Sequence, residues 1–182
     1  MTLTLAAVPR YYERTMLDIY TLGEEVLTEK AKPVKTFDSA LALLVDAMFE
    51  TMAEADGVGL AAPQVGVSER LFVIDLRDGK RWVFINPEII ATSEECVTAE
   101  EGCLSIPGVF SEVTRAARVT VQARNLQGRP FTVEAEGLFA RAIQHELDHL
   151  NGVLFIDRLD KDEHDRAVQA FNRRNRKRRT RA

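Results

Sequence analysis

The chain has 182 residues, of which 46% are hydrophobic and 29% are charged, a balance typical of a soluble globular protein. This length can bury a hydrophobic core without disulfide bonds. No apolar run approaches the ~18 residues that a membrane span needs. The short apolar stretch at the start also lacks the basic segment that opens a secretory signal. We therefore expect a cytoplasmic protein with no membrane partner.

The net charge of −4 is unevenly distributed along the chain. Seven of the nine residues from 173 to 181 are Lys or Arg, so an acidic body carries a basic end. A segment of this kind is either a solubilising end or a site that attracts phosphate groups.

Apolar periodicity predicts a first helix at about residues 38–55. Its apolar residues recur at i, i+3, i+4 and i+7, the spacing of one buried helix face, and Asp38 or Ser39 is the expected N-cap. These apolar residues are Leu41, Leu44, Val45, Met48, Phe49 and Met52. The next segment, GVGLAAPQVG at 57–66, is rich in glycine and proline, and we expect no regular element there.

Two hairpins and two further helices are predicted downstream. Apolar runs flank polar turns at 71–85 and at 118–137, as in antiparallel hairpins. Helical spacing recurs at about 138–150 and 161–175, and the intervening NGVLFIDRLDKD is predicted as a strand and turn. We therefore expect an α+β fold, with antiparallel strands wrapped around the central helix at 138–150 and with N-terminal and C-terminal helices.

The central helix carries an H-E-x-x-H motif at residues 145–149. Four helical residues turn through about 400°, so His145 and His149 face the same side. Such a pair can hold a divalent metal, with Glu146 beside it as a general base. The alternative is a pair of ordinary surface histidines. It is disfavoured because the motif lies between apolar stretches, where unpaired polar groups are costly.

The third ligand defines the class of metal site. A metzincin would have a histidine where this chain has Phe155. Glu163 is a candidate for the downstream glutamate of a gluzincin, but the segment before it is predicted to lead away from the helix. His164 lies among charged residues typical of a solvated helix face. The remaining candidate is Cys103.

Cys103 lies in the segment EEGCLSIPG. A thiolate with two imidazoles makes a three-ligand site with a fourth position open for water. A small core residue is the commoner role of a cysteine. The glycines and proline around Cys103 instead indicate an irregular, functional segment. Cys96 has no such surroundings and is interpreted as structural.

Three segments together resemble the signature motifs of one family. GVGLAAPQ at 57–64, EGCLS at 101–105 and QHELDHLNGVLF at 144–155 are similar to the motifs of peptide deformylases, in the same order and with similar spacing. The resemblance covers about residues 17–160 and is closest to the type I bacterial or organellar branch. It implies a metallohydrolase that removes the formyl group from the N-terminal formyl-methionine of nascent polypeptides and releases formate.

The resemblance also implies the metal and its base. Cys103, His145 and His149 would bind one divalent metal, which in this family is usually Fe²⁺ and can be replaced by Zn²⁺, Ni²⁺ or Co²⁺. Water activated by the metal would attack the formyl carbon, with Glu146 as general acid/base. The glycine pattern at 57–64 lacks the third glycine of a dinucleotide fingerprint, so no nucleotide cofactor is expected.

The same resemblance implies how the substrate is held. The Gln64 amide and the backbone N–H of Leu104 would form the oxyanion site, where one such donor typically contributes about 3 kcal/mol. Gln64 could otherwise be a surface amide after a turn. The methionine pocket or peptide-binding wall would be lined by Val58, Gly59, Leu138 and Ala142. The last two could equally be ordinary core residues.

Two rival functions are compatible with the same motif. A different metallohydrolase, such as a peptidase, could use the same motif, and a non-catalytic relative could bind chain ends or nucleic acid. The intact Glu146 and Gln64 argue against the non-catalytic relative.

We expect an N-terminal extension at 1–16, a deformylase catalytic domain at 17–172 and a basic tail at 173–182. The resemblance suggests that the tail could contact the ribosome.

Overall fold

The computed structural model describes residues 16–179, with side chains through residue 176. Almost all of the expected N-terminal extension, and the last three residues of the basic tail, therefore lie outside the described residues. Within them, three α-helices and seven β-strands form the expected α+β fold. None of the described helices is long and apolar enough to cross a membrane.

The larger sheet has five antiparallel strands in the order β1-β2-β3-β6-β7. Its strands are β1 (Gly59–Ala61), β2 (Leu71–Asp75), β3 (Arg81–Thr92), β6 (Arg118–Arg124) and β7 (Pro130–Glu136). Both predicted hairpins are confirmed, as β2–β3 and β6–β7. Their apolar runs are buried in the sheet, which is why sequence pattern alone identifies them.

The smaller sheet is a hairpin that the sequence pattern did not predict. It consists of β4 (Cys96–Cys103) and β5 (Ile106–Ala116), joined by a two-residue turn. The expectation of an irregular segment around Cys103 is therefore wrong, because Cys103 ends a strand. Charged and polar residues interrupt both strands and hide their alternation. Cys96 is exposed rather than a core residue, because it begins the outer end of this hairpin.

Two other local expectations are corrected by tertiary contacts. The glycine-rich segment forms the short strand β1 and a 3₁₀ turn at Ala62–Val65, because its backbone pairs with β2. The segment predicted as a strand and turn after the central helix forms a 3₁₀ turn at Phe155–Arg158. Its apolar residues pack into a core cluster instead of pairing with a strand.

Helix α1 (Ser39–Glu54) matches the predicted first helix. The Asp38 side chain accepts a hydrogen bond of 3.0 Å from the Leu41 backbone N–H and so caps the N-terminus. The apolar face packs against β1, β2 and β3 in one core cluster, formed by Leu41, Val45, Met48, Phe49, Met52, Leu60, Leu71, Val73 and Ile85. This packing covers one face of the sheet beside the segment that carries Gln64.

Helix α2 (Gly137–Leu150) is the predicted central helix. Ala140, Ile143 and Leu150 pack against the other face of the five-stranded sheet. The opposite side of α2 faces the β4–β5 hairpin through polar side chains, among them Gln144, which hydrogen-bonds the backbone of Ala116. The helix therefore packs on the five-stranded sheet by apolar contacts and on the β4–β5 hairpin by polar contacts. Its two histidines lie on the side that faces the hairpin.

Helix α3 (Lys161–Arg179) begins where predicted and continues past residue 175. Ala167 and Phe171 are buried against the hairpin residues Val109 and Val113. The same cluster contains Phe155 and Ile156 of the 3₁₀ turn at 155–158, together with Leu27 and Leu154. The hairpin is thus packed on α3 mainly by apolar contacts and on α2 mainly by polar ones.

Candidate metal centre

The structure brings the three expected metal ligands together. The ligand atoms of Cys103, His145 and His149 all lie within 4.8 Å of one another. The two histidines come from α2, and the cysteine comes from the end of β4. One thiol and two imidazoles provide the donor set of a three-ligand metal site with an open fourth position.

Both histidines of α2 contact residues of β4. Cys103 Sγ lies 3.2 Å from His149 Nε2, and Glu101 Oε2 lies 2.9 Å from His145 Nδ1. The Glu101 carboxylate therefore hydrogen-bonds His145 Nδ1, and Nε2 is the ring nitrogen that could bind a cation. Metal-bound histidines are oriented by partners of this kind. Sequence reasoning did not identify Glu101, although it lies two residues before the expected ligand.

The protonation of the histidines depends on their burial and partners. Burial lowers the pKa of His149 well below its ordinary value, which favours the neutral imidazole that binds metals. Burial also acts to lower the pKa of His145, but hydrogen bonds with Cys103 and Glu101 outweigh it and raise this pKa. Binding of a cation would displace that proton, since metal ligands must be deprotonated.

Glu146 lies beside the cluster and is 4% exposed. Its Oε2 atom is buried and has no hydrogen-bond partner within the described part of the chain. Burial, which disfavours the charged form, raises its pKa to about 7. A Cβ atom on Gly59 would come within 2.3 Å of Glu146 Oε1, so only a glycine fits against this carboxylate.

The donor set of the cluster fits a divalent cation. His149 Nδ1 is buried and, like Glu146 Oε2, has no hydrogen-bond partner within the described residues. Buried polar atoms are rarely left unpaired without an ion, a water or a substrate to satisfy them. Thiolate and imidazole donors suit Zn²⁺ and other first-row metals. The residues present therefore fit a mononuclear metal site.

Gln64 is fully enclosed next to the thiol and is not a surface amide. Its Oε1 accepts a 2.8 Å hydrogen bond from the Ala61 backbone N–H. Its Nε2 lies 3.2 Å from Ser105 Oγ and 3.6 Å from Cys103 Sγ. Leu104 and Ser105 form the turn that joins β4 to β5. Sequence reasoning missed Ser105, although it lies within the EGCLS segment and orients the amide.

The four residues expected at the substrate lie in different environments. Gly59 is buried against Glu146, and Val58 is partly buried next to it. Ala142 is buried in the core cluster between α2 and the sheet, whereas Leu138, at the start of α2, is 57% exposed.

A buried charge network connects the hairpin to α2. Arg115 of β5 donates two hydrogen bonds to Glu101, of 2.7 and 2.8 Å, and one of 2.6 Å to Asp148. Asp148 also pairs with Arg158, and Glu101 also pairs with Arg141. Arg115 is only 4% exposed. No sequence signal distinguished these residues from an ordinary charged surface.

The network sets the charge states of its members. Burial acts to raise the pKa of Glu101, but hydrogen bonds from Arg115 and His145 outweigh it and hold this pKa far below its ordinary value. Burial acts to lower the pKa of Arg115, and its hydrogen bond with Glu101 outweighs that effect and raises it. Both groups therefore stay charged in the interior, where each depends on the other.

The residues considered as alternative third ligands lie elsewhere. The ring of Phe155 stacks on that of His145, with 6.2 Å between ring centroids and 23° between planes. His164 lies on α3, with its Nε2 3.6 Å from Asp157. Glu163 is exposed at the start of α3, where its backbone N–H bonds to Asp160. The metal cluster contains none of these three residues.

A surface depression of about 610 Å³ lies apart from the metal centre. Ser93, Arg118 and Glu134 are among the residues that line it, and none of the metal-site residues does. The chemistry of the metal centre therefore identifies the candidate active site better than the size of a cavity.

Comparison with known proteins identifies the family. One thiol and two imidazoles make a three-ligand site with an open position, and a buried carboxylate beside it can serve as the base of a metal-dependent hydrolase. The polypeptide deformylase family model matches residues 16–165. A peptide deformylase of Chromobacterium violaceum is 51% identical over 162 residues, which cover 87% of this chain and 96% of that protein. The chain belongs to the polypeptide deformylase family, and it is an enzyme.

Solved structures agree with this assignment. The crystal structure of a peptide deformylase from Legionella pneumophila has a TM-score of 0.86 and 45% identity, and covers 89% of this chain and 96% of its own. A peptide deformylase from Synechococcus elongatus, crystallised in complex with actinonin, has a TM-score of 0.81 and 46% identity. That comparison covers 85% of this chain and 86% of the other. The α+β fold expected from the sequence is therefore confirmed.

We predict that Arg115→Met lowers the free energy of unfolding by about 3 kcal/mol, because it leaves two buried carboxylates with fewer partners. Urea denaturation would measure this change. Arg118→Met is the matched control, since the pair between Arg118 and Glu95 is about 60% exposed on both sides. The control should lose less than about 1 kcal/mol. Equal losses in both variants would contradict the prediction.

Proposed function

We propose that this enzyme removes the formyl group from the N-terminal formyl-methionine of nascent polypeptides and releases formate. The observation that carries the proposal is the cluster of Cys103, His145 and His149 beside the buried Glu146, in a chain of this family. The expected catalytic domain at 17–172 contains all of these residues. The proposal implies a cytoplasmic enzyme, since nascent chains are its substrate.

Cys103, His145 and His149 would hold one divalent metal, with Fe²⁺ as the proposed native ion and Zn²⁺, Ni²⁺ or Co²⁺ as substitutes. When bound, the cation supplies Lewis acidity that lowers the pKa of a coordinated water and polarises a carbonyl oxygen. The donor set and the hydrogen bond that His145 Nδ1 donates to Glu101 support this assignment.

Glu146 would accept the proton of the attacking water and return it to the amine of the departing peptide. Its position supports this role, because its carboxylate lies beside a metal ligand and keeps an unpaired oxygen. A general base must lie within hydrogen-bond reach of the proton that it removes. The packing of Gly59 against the same carboxylate restricts where it can move.

Gln64 and Leu104 would stabilise the negative charge that develops on the formyl oxygen. The Gln64 amide is held by Ala61 and Ser105, so its N–H groups are oriented before the substrate binds. The Leu104 backbone N–H lies in the turn next to Cys103. Donors fixed in advance in this way contribute about 3 kcal/mol each to transition-state stabilisation.

Val58, Gly59, Leu138 and Ala142 would contact the methionine side chain or the peptide. The exposure of Leu138, a large apolar residue two turns before His145 on α2, supports this placement. The partial burial of Val58 next to Gly59 is compatible with a wall that a peptide can reach.

We predict that the purified, metal-loaded enzyme releases formate from formyl-Met-Ala and does not cleave unformylated Met-Ala-Ser. Glu146→Gln should keep the metal and lose about 10²–10⁴-fold in rate, because the amide cannot accept the proton. Formate release and metal content would be measured on the same samples. Cleavage of the unformylated peptide would favour a peptidase. A near wild-type rate in Glu146→Gln would exclude Glu146 as the general base.

We predict one metal per chain in the wild type and its loss in Cys103→Ala. The truncation removes the Cys103 thiol, which among the described residues is the only ligand that the hairpin contributes to the metal cluster. His164→Ala is the control, because His164 lies outside that cluster and should bind metal as the wild type does. Elemental analysis after dialysis measures both. Full metal occupancy in Cys103→Ala would disprove the ligand assignment.

We propose that the basic segment at 173–182 contacts ribosomal RNA, where the substrate emerges. Seven cations would release counterions from phosphate on binding, so the affinity should fall as salt rises. The apolar side of α3 packs on the hairpin through Ala167 and Phe171, before the basic segment begins. Deletion of 173–182 should spare formyl-Met-Ala turnover and weaken co-sedimentation with ribosomes. Equal binding by the truncated chain would contradict this role.

A further inference from the structure

A stripe of polar side chains on α2 faces the β4–β5 hairpin. Arg141, Gln144, His145 and Asp148 follow the i, i+3, i+4 and i+7 spacing of one helix face. Each has a partner on the hairpin: Gln144 bonds to the backbone of Ala116, and the other three bond within the network that contains Glu101 and Arg115. The position of the hairpin on α2 therefore depends on directional polar contacts.

Arg141 joins both strands of the hairpin to the helix. Its Nη2 donates a 2.6 Å hydrogen bond to the Val97 carbonyl, and its Nη1 donates bonds of 2.8 Å to the Val113 carbonyl and 3.4 Å to the Ala99 carbonyl. Val97 and Ala99 lie on β4, and Val113 lies on β5. Its side chain is only 12% exposed. A planar guanidinium presents five N–H donors in a rigid fork, whereas an ammonium presents three from a single nitrogen.

The same guanidinium contacts the residue that orients a metal ligand. Arg141 Nη1 lies 2.7 Å from Glu101 Oε1, and the other oxygen of Glu101 lies 2.9 Å from His145 Nδ1. Cys103 follows Glu101 by two residues on the same strand. One side chain of α2 therefore influences both the imidazole of its own helix and the strand that carries the thiol.

We propose that Arg141 is a positioning residue of the metal centre, which sets the Cys103 thiolate relative to the imidazoles of His145 and His149. The inference rests on the proposed metal site and extends it to a side chain that touches no ligand atom. Apolar packing contributes little to this role, because the buried apolar residues of the hairpin (Ile106, Val109 and Val113) lie in the cluster with α3 and the 3₁₀ turn at 155–158. Without Arg141, the end of β4 would have more freedom relative to α2.

Cobalt-loaded protein provides a readout that a purely structural role would not change. The absorption bands of cobalt bound to a thiolate report the geometry of the Cys103 contact, and the rate of cobalt transfer to a chelator reports how firmly the site holds it. Both would be compared for the wild type, Arg141→Leu and Arg141→Lys. Urea denaturation of each protein measures the change in overall stability separately.

Arg70→Leu is the matched control. Arg70 is also a partly buried arginine that bonds to carbonyl groups, with its Nη1 3.3 Å from the Leu150 carbonyl of α2 and its Nη2 3.3 Å from the Pro87 carbonyl of β3. It contacts the C-terminal end of the helix, one residue after His149, and has no bond to Glu101 or to the hairpin among the described residues. Its loss should lower stability without changing the cobalt spectrum or the release rate.

We expect Arg141→Leu to shift the cobalt bands and to release cobalt at least about tenfold faster, the usual effect of losing a partner that orients a ligand. Arg141→Lys should lie between that variant and the wild type. If Arg141→Leu does not fold, Arg141→Lys alone decides, and a wild-type spectrum and release rate in it would overturn the proposal. The same changes in Arg70→Leu would also overturn it, because they would show a general loss of stability.

The wild-type protein separates this inference from the function on which it rests. Failure of the wild type to bind cobalt would overturn the metal site and the positioning role together. Cobalt binding by the wild type, with an unchanged spectrum and release rate in Arg141→Leu, would overturn the positioning role alone.

Discussion

Buried charge between α2 and the β4–β5 hairpin is the constraint on which the metal centre depends. Arg115 lies in the interior and is satisfied only where Glu101 and Asp148 both reach it. Taking such groups out of water costs several kcal/mol per ion, and good geometry is required to offset that cost. Any other placement of the hairpin would leave a charge unpaired. The same contacts that satisfy Arg115 bring Cys103 next to the two histidines.

The sequence predicts the parts of this enzyme whose signal is local. Apolar periodicity identifies α1, α2 and two hairpins, because the spacing of apolar residues along the chain shows directly which face of an element is buried. The H-E-x-x-H motif identifies two ligands, since its spacing is a property of the helix itself. Cys103 became the candidate third ligand because the histidine that a metzincin would have is replaced by Phe155. In the structure the ring of Phe155 stacks on that of His145.

The parts that sequence reasoning missed depend on contacts between distant residues. Glu101 and His145 are separated by 44 residues, and Arg115 and Asp148 by 33. A charged residue that will be buried in such a pair has the same local pattern as one on a solvated surface. The hairpin was missed for the same reason, since Glu101 and Arg115 are buried towards α2 but have the same charged character as the exposed residues beside them. Only the fold shows which charges have partners.

The pairing across the two elements has a consequence for insertions and deletions. Glu101 meets His145 and Cys103 meets His149, so a step of two residues on a strand faces a step of four residues on a helix. Two strand residues advance ~6.8 Å. Four helical residues advance ~6 Å, nearly the same length. A single residue inserted between Glu101 and Cys103 would turn one of them to the opposite face of the strand. A single residue inserted between His145 and His149 would rotate one of them by about 100° around the helix, so neither spacing can change without separating a pair.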